Sequence, residues 1–277
     1  MCALNADDSM FSYLDCKVGY ESEHMNRGRP EMRKSIFAEI ELGLALSDVL
    51  TTYVGIAPVV AAGLGPASDG RDEVKPYVGL CYDATDTIKL DAGYAHHFYV
   101  AKRDSVGGGG GGGQVIVEGV GNLTEQDKYG SSGEIYGGIS ADVLLSPSIY
   151  CFYDFTKREF AIEGNVSHIF DLSDRLLDGL GLKISGKLGY DKPKKLFGIR
   201  KSIDNFFDPN VRAFSAKGYA YYGIGADLIL SINGNVEASV GVAYEGNSAG
   251  KNDAPNAYVN GKRRDAIIFR GGVSCSF

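Results

Sequence analysis

Tryptophan is missing from this chain of 277 residues, and methionine occurs only four times. The five cysteines, Cys2, Cys16, Cys81, Cys151 and Cys275, stand apart with no CxxC or Cys/His spacing. That distribution leads to no expectation of a zinc site or a disulfide scaffold. Long hydrophobic runs are also lacking: the longest apolar stretch, Tyr53 to Leu64, falls well short of the roughly 20 residues a membrane helix requires. Basic charge is in deficit, with 28 Lys and Arg against 35 Asp and Glu, so nucleic acid is not an expected partner. The first residues, Met1-Cys-Ala-Leu-Asn-Ala-Asp-Asp8, carry neither a charged n-region nor an apolar h-region. Residues 1–9 are read either as the remnant of a removed signal, with Met1 an added start, or as a disordered terminus.

Glycine and tyrosine are abundant instead, at 38 and 17 residues, a composition of strands and tight turns. A period of two recurs along the chain in twelve segments. Typical apolar phases are Ile36, Ala38, Ile40, Leu42, Leu44, Leu46; Ile135, Gly137, Ile139, Ala141, Val143, Leu145; and Ile267, Phe269, Gly271, Val273, Cys275, Phe277. No position of this phase in any segment holds Asp, Glu, Lys or Arg, although 23% of the chain is charged. The other phase carries Asp15, Lys17, Glu39, Glu41, Lys75, Lys89, Asp91, Asp142, Asp154, Glu163, Lys183, Lys187, Asp227, Glu237, Glu245 and Arg270, interspersed with glycines.

Two structures bury such an alternating face. A soluble sandwich hides it between sheets, and a membrane barrel turns it toward lipid. Links after the even segments are short turns, such as Ser47-Asp48 and Asn233-Gly234, whereas those after segments one, three, five, nine and eleven are read as long loops. Alternation of short and long links is the mark of an up-and-down barrel with turns on one side of the membrane and loops on the other. Aromatic residues fall where such a barrel needs girdles: Tyr20, Phe98, Phe155, Phe160, Tyr190, Tyr222, Tyr244 and Phe269 toward the long loops, and Tyr82, Phe170 and Phe277 toward the turns. The expectation is an all-β, twelve-stranded antiparallel transmembrane barrel spanning residues 10–277 as one domain in a Gram-negative-type outer membrane. The closing strand, with Phe269, Val273 and the terminal Phe277, resembles the signal that the outer-membrane assembly machinery recognises.

Three phrases, Leu90-Asp-Ala-Gly-Tyr-Ala-His-His-Phe-Tyr99, Ser146-Pro-Ser-Ile-Tyr-Cys-Phe-Tyr-Asp-Phe155 and Gly164-Asn-Val-Ser-His-Ile-Phe-Asp-Leu172, are similar to repeating phrases of the TorF-type family of bacterial porins. The resemblance covers roughly Tyr77 to Leu230. It implies an outer-membrane barrel with no agreed catalytic residues and no cofactor. The glycine run Gly107 to Gly113 and the N-terminus without a signal peptide stand outside it.

Few constellations point to chemistry. Ser167 and His168 are adjacent in a strand, so their side chains take opposite faces and the base is out of reach of the hydroxyl. His96 and His97 diverge in the same way. The glycine run is followed by no Lys-Ser or Lys-Thr, so it is a tether and not a phosphate loop. Gln114 to Val120 beyond it is read either as a disordered part of the loop or as an arm that forms a hairpin or enters the pore. Asp191 to Lys217 holds seven basic and three acidic residues, either a solvated loop or a patch for lipopolysaccharide phosphates and anionic solutes. Passive diffusion of small hydrophilic solutes is the expected function. The inward positions total ten acids and six bases, which predicts a weak preference for cations. A plugged structural or adhesive surface barrel is the alternative, and an outer-membrane hydrolase the third. Lipids, lipopolysaccharide and the assembly machinery are the expected partners; the oligomeric state is left open.

Overall fold

A computed structural model describes residues 10–62, 72–100, 131–174, 176–193, 218–248 and 265–277. The residues numbered 1–9, the glycine run with Gln114 to Val120, and most of the basic segment between Asp191 and Lys217 lie outside the described residues.

Twelve strands follow in order: β1 (Phe11–Asn26), β2 (Arg29–Ser47), β3 (Leu50–Ala61), β4 (Asp72–Asp83), β5 (Ile88–Val100), β6 (Ser131–Ala141), β7 (Ser148–Asp154), β8 (Glu159–Asp171), β9 (Leu180–Pro193), β10 (Tyr219–Asn233), β11 (Val236–Asn247) and β12 (Asp265–Ser276). Each pairs antiparallel with its neighbours in sequence, and β12 returns to β1 to close the barrel. At the seam, Leu14 and Phe277 exchange both backbone hydrogen bonds, 2.9 and 3.0 Å long. Closure gives every strand two partners, which satisfies the backbone polar groups that an open edge would leave bare in hydrocarbon.

The apolar phase faces outward. Val240, Phe269 and Leu188 are 62, 62 and 65% exposed, while residues of the opposite phase such as Tyr53 and Asp227 are only 8 and 9% exposed. A belt of large apolar side chains with no partner in the fold is tolerable only against lipid. At its margin the Tyr222 and Tyr244 hydroxyls both donate to Asp265, each at 3.0 Å, which keeps the ring bodies in the apolar zone and their polar tips outside it.

One element departs from the sequence reading. The link after β1 is not a long loop: β1 and β2 pair as far as Asn26 and Arg29, and the connection is a tight turn at Arg27 and Gly28. Both turn residues have positive φ, 50° and 71°, as in the hairpin turns whose twist matches that of paired strands. The alternation fades there because this end of the hairpin has no lipid-facing side to keep apolar. A register shift between His24 and Met25 bends the tip. It bends inward, as its contacts show.

Candidate functional site

Gly28 is the pivot of the mouth. A Cβ on this residue would meet the Tyr221 Cβ at 2.5 Å and the Gly246 carbonyl at 2.8 Å, so a close approach as well as a positive φ calls for glycine here. Asn247 donates from Nδ2 to the Gly28 carbonyl at 2.6 Å, and Met25 packs on Ala243, Ala266 and Ile268. From this seat two arginines reach strands that are not neighbours of β1 or β2. Arg27 donates to Glu134 of β6 at 2.5 Å and lies 4.7 Å from the Phe152 ring centroid. Arg29 donates to Asp191 of β9 at 2.6 Å and also to Glu159 of β8 and to Tyr219 of β10. The Tyr219 hydroxyl donates to Asp191 at 2.8 Å.

The hairpin tip therefore crosses the barrel at the end away from the chain termini, tied to it by a charge latch. Burial opposes the charge on Arg27, but the attraction of Glu134, reinforced by Asp191 and Glu159, outweighs it and holds the guanidinium pKa above its ordinary value. None of Arg27, Arg29, Glu134, Glu159 or Tyr219 was singled out from sequence. The signal available was Asn26-Arg27-Gly28-Arg29, a Gly-containing turn between two runs of alternating residues.

Below the latch the two sides of the lumen differ. Across β1 to β7, tyrosines of one strand lie over glycines directly opposite on the next: Tyr13 with Gly43, Tyr77 with Gly55, Tyr53 with Gly79, Tyr136 with Gly93 and Tyr150 with Gly138. A Cβ at any of these glycines would collide with the facing ring. Their hydroxyls converge on the inward carboxylates. Tyr53 and Tyr150 donate to Asp91 at 2.5 and 3.1 Å, and Tyr136 contacts the Tyr53 oxygen at 2.8 Å. Tyr77 donates to Glu39 at 2.9 Å, and Tyr13 to Glu41 at 2.7 Å.

The other side, toward β9 to β12, is lined by Ser185, Gly223, Gly225, Ser239, Gly272 and Ser274, and a cavity of about 700 Å³ opens there. Two ion pairs line it: Lys187 with Glu245 at 2.6 Å, and Arg270 with Asp227 through two hydrogen bonds of 2.7 and 2.6 Å. Lys17, which lies 5.3 Å from the Phe37 ring centroid, lines the same cavity with Glu39, Lys75, Lys183 and Glu237.

The remaining sequence-predicted residues sit nearer the rims. Asp15 accepts from the Ser276 hydroxyl at 2.5 Å, and Glu163 from Asn165 at 3.1 Å. Lys89 pairs with Asp83 at 3.4 Å, and buried Asp154 with Lys157 at 3.5 Å. Asp142 lies just past the end of β6, in the turn, and so belongs to the rim and not to the strand wall. Phe269, Val273 and Phe277 are exposed on the outer surface. Ser167 lines the cavity while His168 packs edge-on against Phe170, with ring centroids 4.6 Å apart, so the two stay on opposite faces. His96 bonds to Tyr94 at 2.6 Å and His97 to Glu73 at 2.5 Å, each in its own direction.

No protein-family model and no curated protein sequence matches the chain. Solved structures do. An outer-membrane channel from Pseudomonas putida F1 aligns over 100% of both chains with a TM-score of 0.52 at 9% identity. The KdgM porin aligns over 96% of this chain and 99% of its own, with a TM-score of 0.47 at 10% identity. For the NanC porin the shares are 95% and 98%, the TM-score is 0.46 and the identity 10%. At 9% identity the Pseudomonas likeness is one of fold. The closed barrel with its apolar belt has the fold of an outer-membrane β-barrel.

Proposed function

We propose that this barrel is a narrow channel for passive diffusion of small hydrophilic solutes, with a weak preference for cations. The observation that carries the reading is the cavity of about 700 Å³ between the side lined by serine and glycine and the inward residues Lys17, Phe37, Glu39, Ala57 and Lys75 of β1 to β4. Small polar solutes suit such a wall, where serines and glycines stand between the paired charges of Lys187 with Glu245 and Arg270 with Asp227 and the lysines Lys17, Lys75 and Lys183. The strand phrases similar to those of TorF-type porins support the same class. Cation preference rests on the surplus of carboxylates among the inward positions, nine acids against six bases once Asp142, in the turn after β6, is set aside. The ion pairs of Lys187 with Glu245 and of Arg270 with Asp227 cancel in the count and leave that surplus in place.

A second reading, a surface barrel with a plugged lumen, is favoured by one specific observation, the Arg27 and Arg29 latch across the mouth. Planar-bilayer recordings of the purified protein separate the two. Steady conductance with a cation-positive reversal potential in a salt gradient is the expected result. Silence of both the wild type and a latch variant would establish the plugged reading, and an anion preference would refute the charge count.

A further inference from the structure

We propose that Cys16 and Cys275 form a disulfide that closes the barrel seam covalently. The inference rests on the outer-membrane reading of the fold. Each of the other eleven strand junctions joins strands consecutive in the chain, so a turn or loop ties it; the β1 and β12 junction alone is held without a chain connection. In that seam Cys16 lies directly opposite Cys275, two places from the reciprocal hydrogen bonds of Leu14 and Phe277 that pin the register. Directly opposed residues have Cα atoms about 4.5 to 5.5 Å apart, inside the span of about 4.4 to 6.8 Å that a disulfide bridges. Both side chains leave the same outer face, and both thiols are partly exposed. Cys81 and Cys151 face Thr51 and Asp91, and Gly137 and Ile162, so neither has a cysteine opposite it.

The pair lies next to the C-terminal Phe277, at the end of the barrel that carries both termini. By the usual sidedness of such barrels this is the periplasmic end, where the medium is oxidising. A periplasmic thiol–disulfide oxidant completes the chemistry: the two thiols lose two protons and two electrons as the S–S bond forms, and the oxidant's own disulfide is reduced to two thiols. The surrounding pairs explain the use of a staple. Beyond the Val18 and Val273 pair beside the cysteines, Gly19 faces Gly272 and Tyr20 faces Gly271, so the middle of this junction has little cross-strand side-chain packing.

Outer membranes prepared with free thiols trapped by an alkylating agent test the bond. Cleavage before aspartates separates Cys16, in the fragment from Asp15 to Ser47, from Cys2, and places Cys275 in the fragment from Asp265 to Phe277. The expected result is a crosslinked pair of these two fragments that reduction abolishes. The boiled, unreduced protein should then run ahead of its reduced form, and this difference should vanish in Cys275→Ser. Alkylation of both cysteines without prior reduction, or a bond from Cys275 to a different cysteine, overturns the proposal while leaving the barrel reading intact. Failure of the protein to fractionate with the outer membrane overturns both.

Discussion

Tyr53 and Tyr77, 8 and 9% exposed, lie flat over glycines of the neighbouring strand on one side of the lumen, while on the other side Gly223 and Gly225 lie beneath the Lys187 and Arg270 side chains beside the cavity. The same inward glycines thus serve opposite ends. Beside an aromatic residue in direct register, glycine is the slot that accepts a ring and lets one strand fill space over the next. Beside lysine or arginine it makes room for a charged side chain instead: a Cβ on Gly223 would meet Lys187 at 2.9 Å, and one on Gly225 would meet the Arg270 guanidinium at 2.8 Å. The first side consumes its carboxylates as acceptors for tyrosine hydroxyls, whereas the second keeps them in ion pairs facing the cavity. Strand number alone consequently does not set the bore; the cross-strand partner of each glycine does. The hairpin tip bridges the two sides, Arg27 reaching β6 and Arg29 reaching β8, β9 and β10.

Removing the bridge should have the largest effect. Arg29→Ala leaves Glu159 and Asp191 buried without their cation, at a cost of about 3 to 5 kcal/mol for a broken buried pair. The expected outcome is a lower temperature for the loss of the fast-migrating folded form on unheated gels, together with a rise in conductance as the tip swings free. Unchanged conductance in a folded variant would show that the tip does not obstruct the lumen.

The two faces of β11 offer the next test. Val240→Arg puts a charge into the lipid belt and should destabilise the barrel by about 2 to 4 kcal/mol, whereas Ser239→Arg points into the cavity and should mainly reduce conductance. Equal loss of stability in denaturant titrations would contradict the assignment of faces.

A smaller effect separates filled from open glycines. Gly79→Val must displace the Tyr53 ring and should cost about 1 to 3 kcal/mol by overpacking. Gly234→Ala, in a turn with nothing within 4 Å of the new methyl, should stay within about 0.5 kcal/mol. If the two variants unfold alike, the rings are not fixed over the glycines.

The smallest shift is electrical. Asp227→Asn releases Arg270 from its bidentate partner on the open side, so the reversal potential should move toward anions. The same change at Asp91, whose carboxylate is bound by Tyr53 and Tyr150 on the filled side, should move it less. Screening by salt should shrink both shifts.

The alternation by itself determined the strand number and the lipid-facing phase, because lipid tolerates no charge at mid-strand and the pleat sends every second residue to it. Ile139 and Val240 are legible in that way, as are Asp227 and Lys187. Other features were decided only by tertiary structure. Nothing local tells Gly43 that Tyr13 lies across from it or Gly225 that Ser185 does, since register between strands is a long-range property. Asn26 to Arg29 reads as part of a loop until the bend carries its arginines to carboxylates on β6, β8 and β9. Cys16 and Cys275 stand at opposite ends of the chain, and closure alone makes them neighbours, because a barrel must bring its first strand back to its last to satisfy their backbone hydrogen bonds.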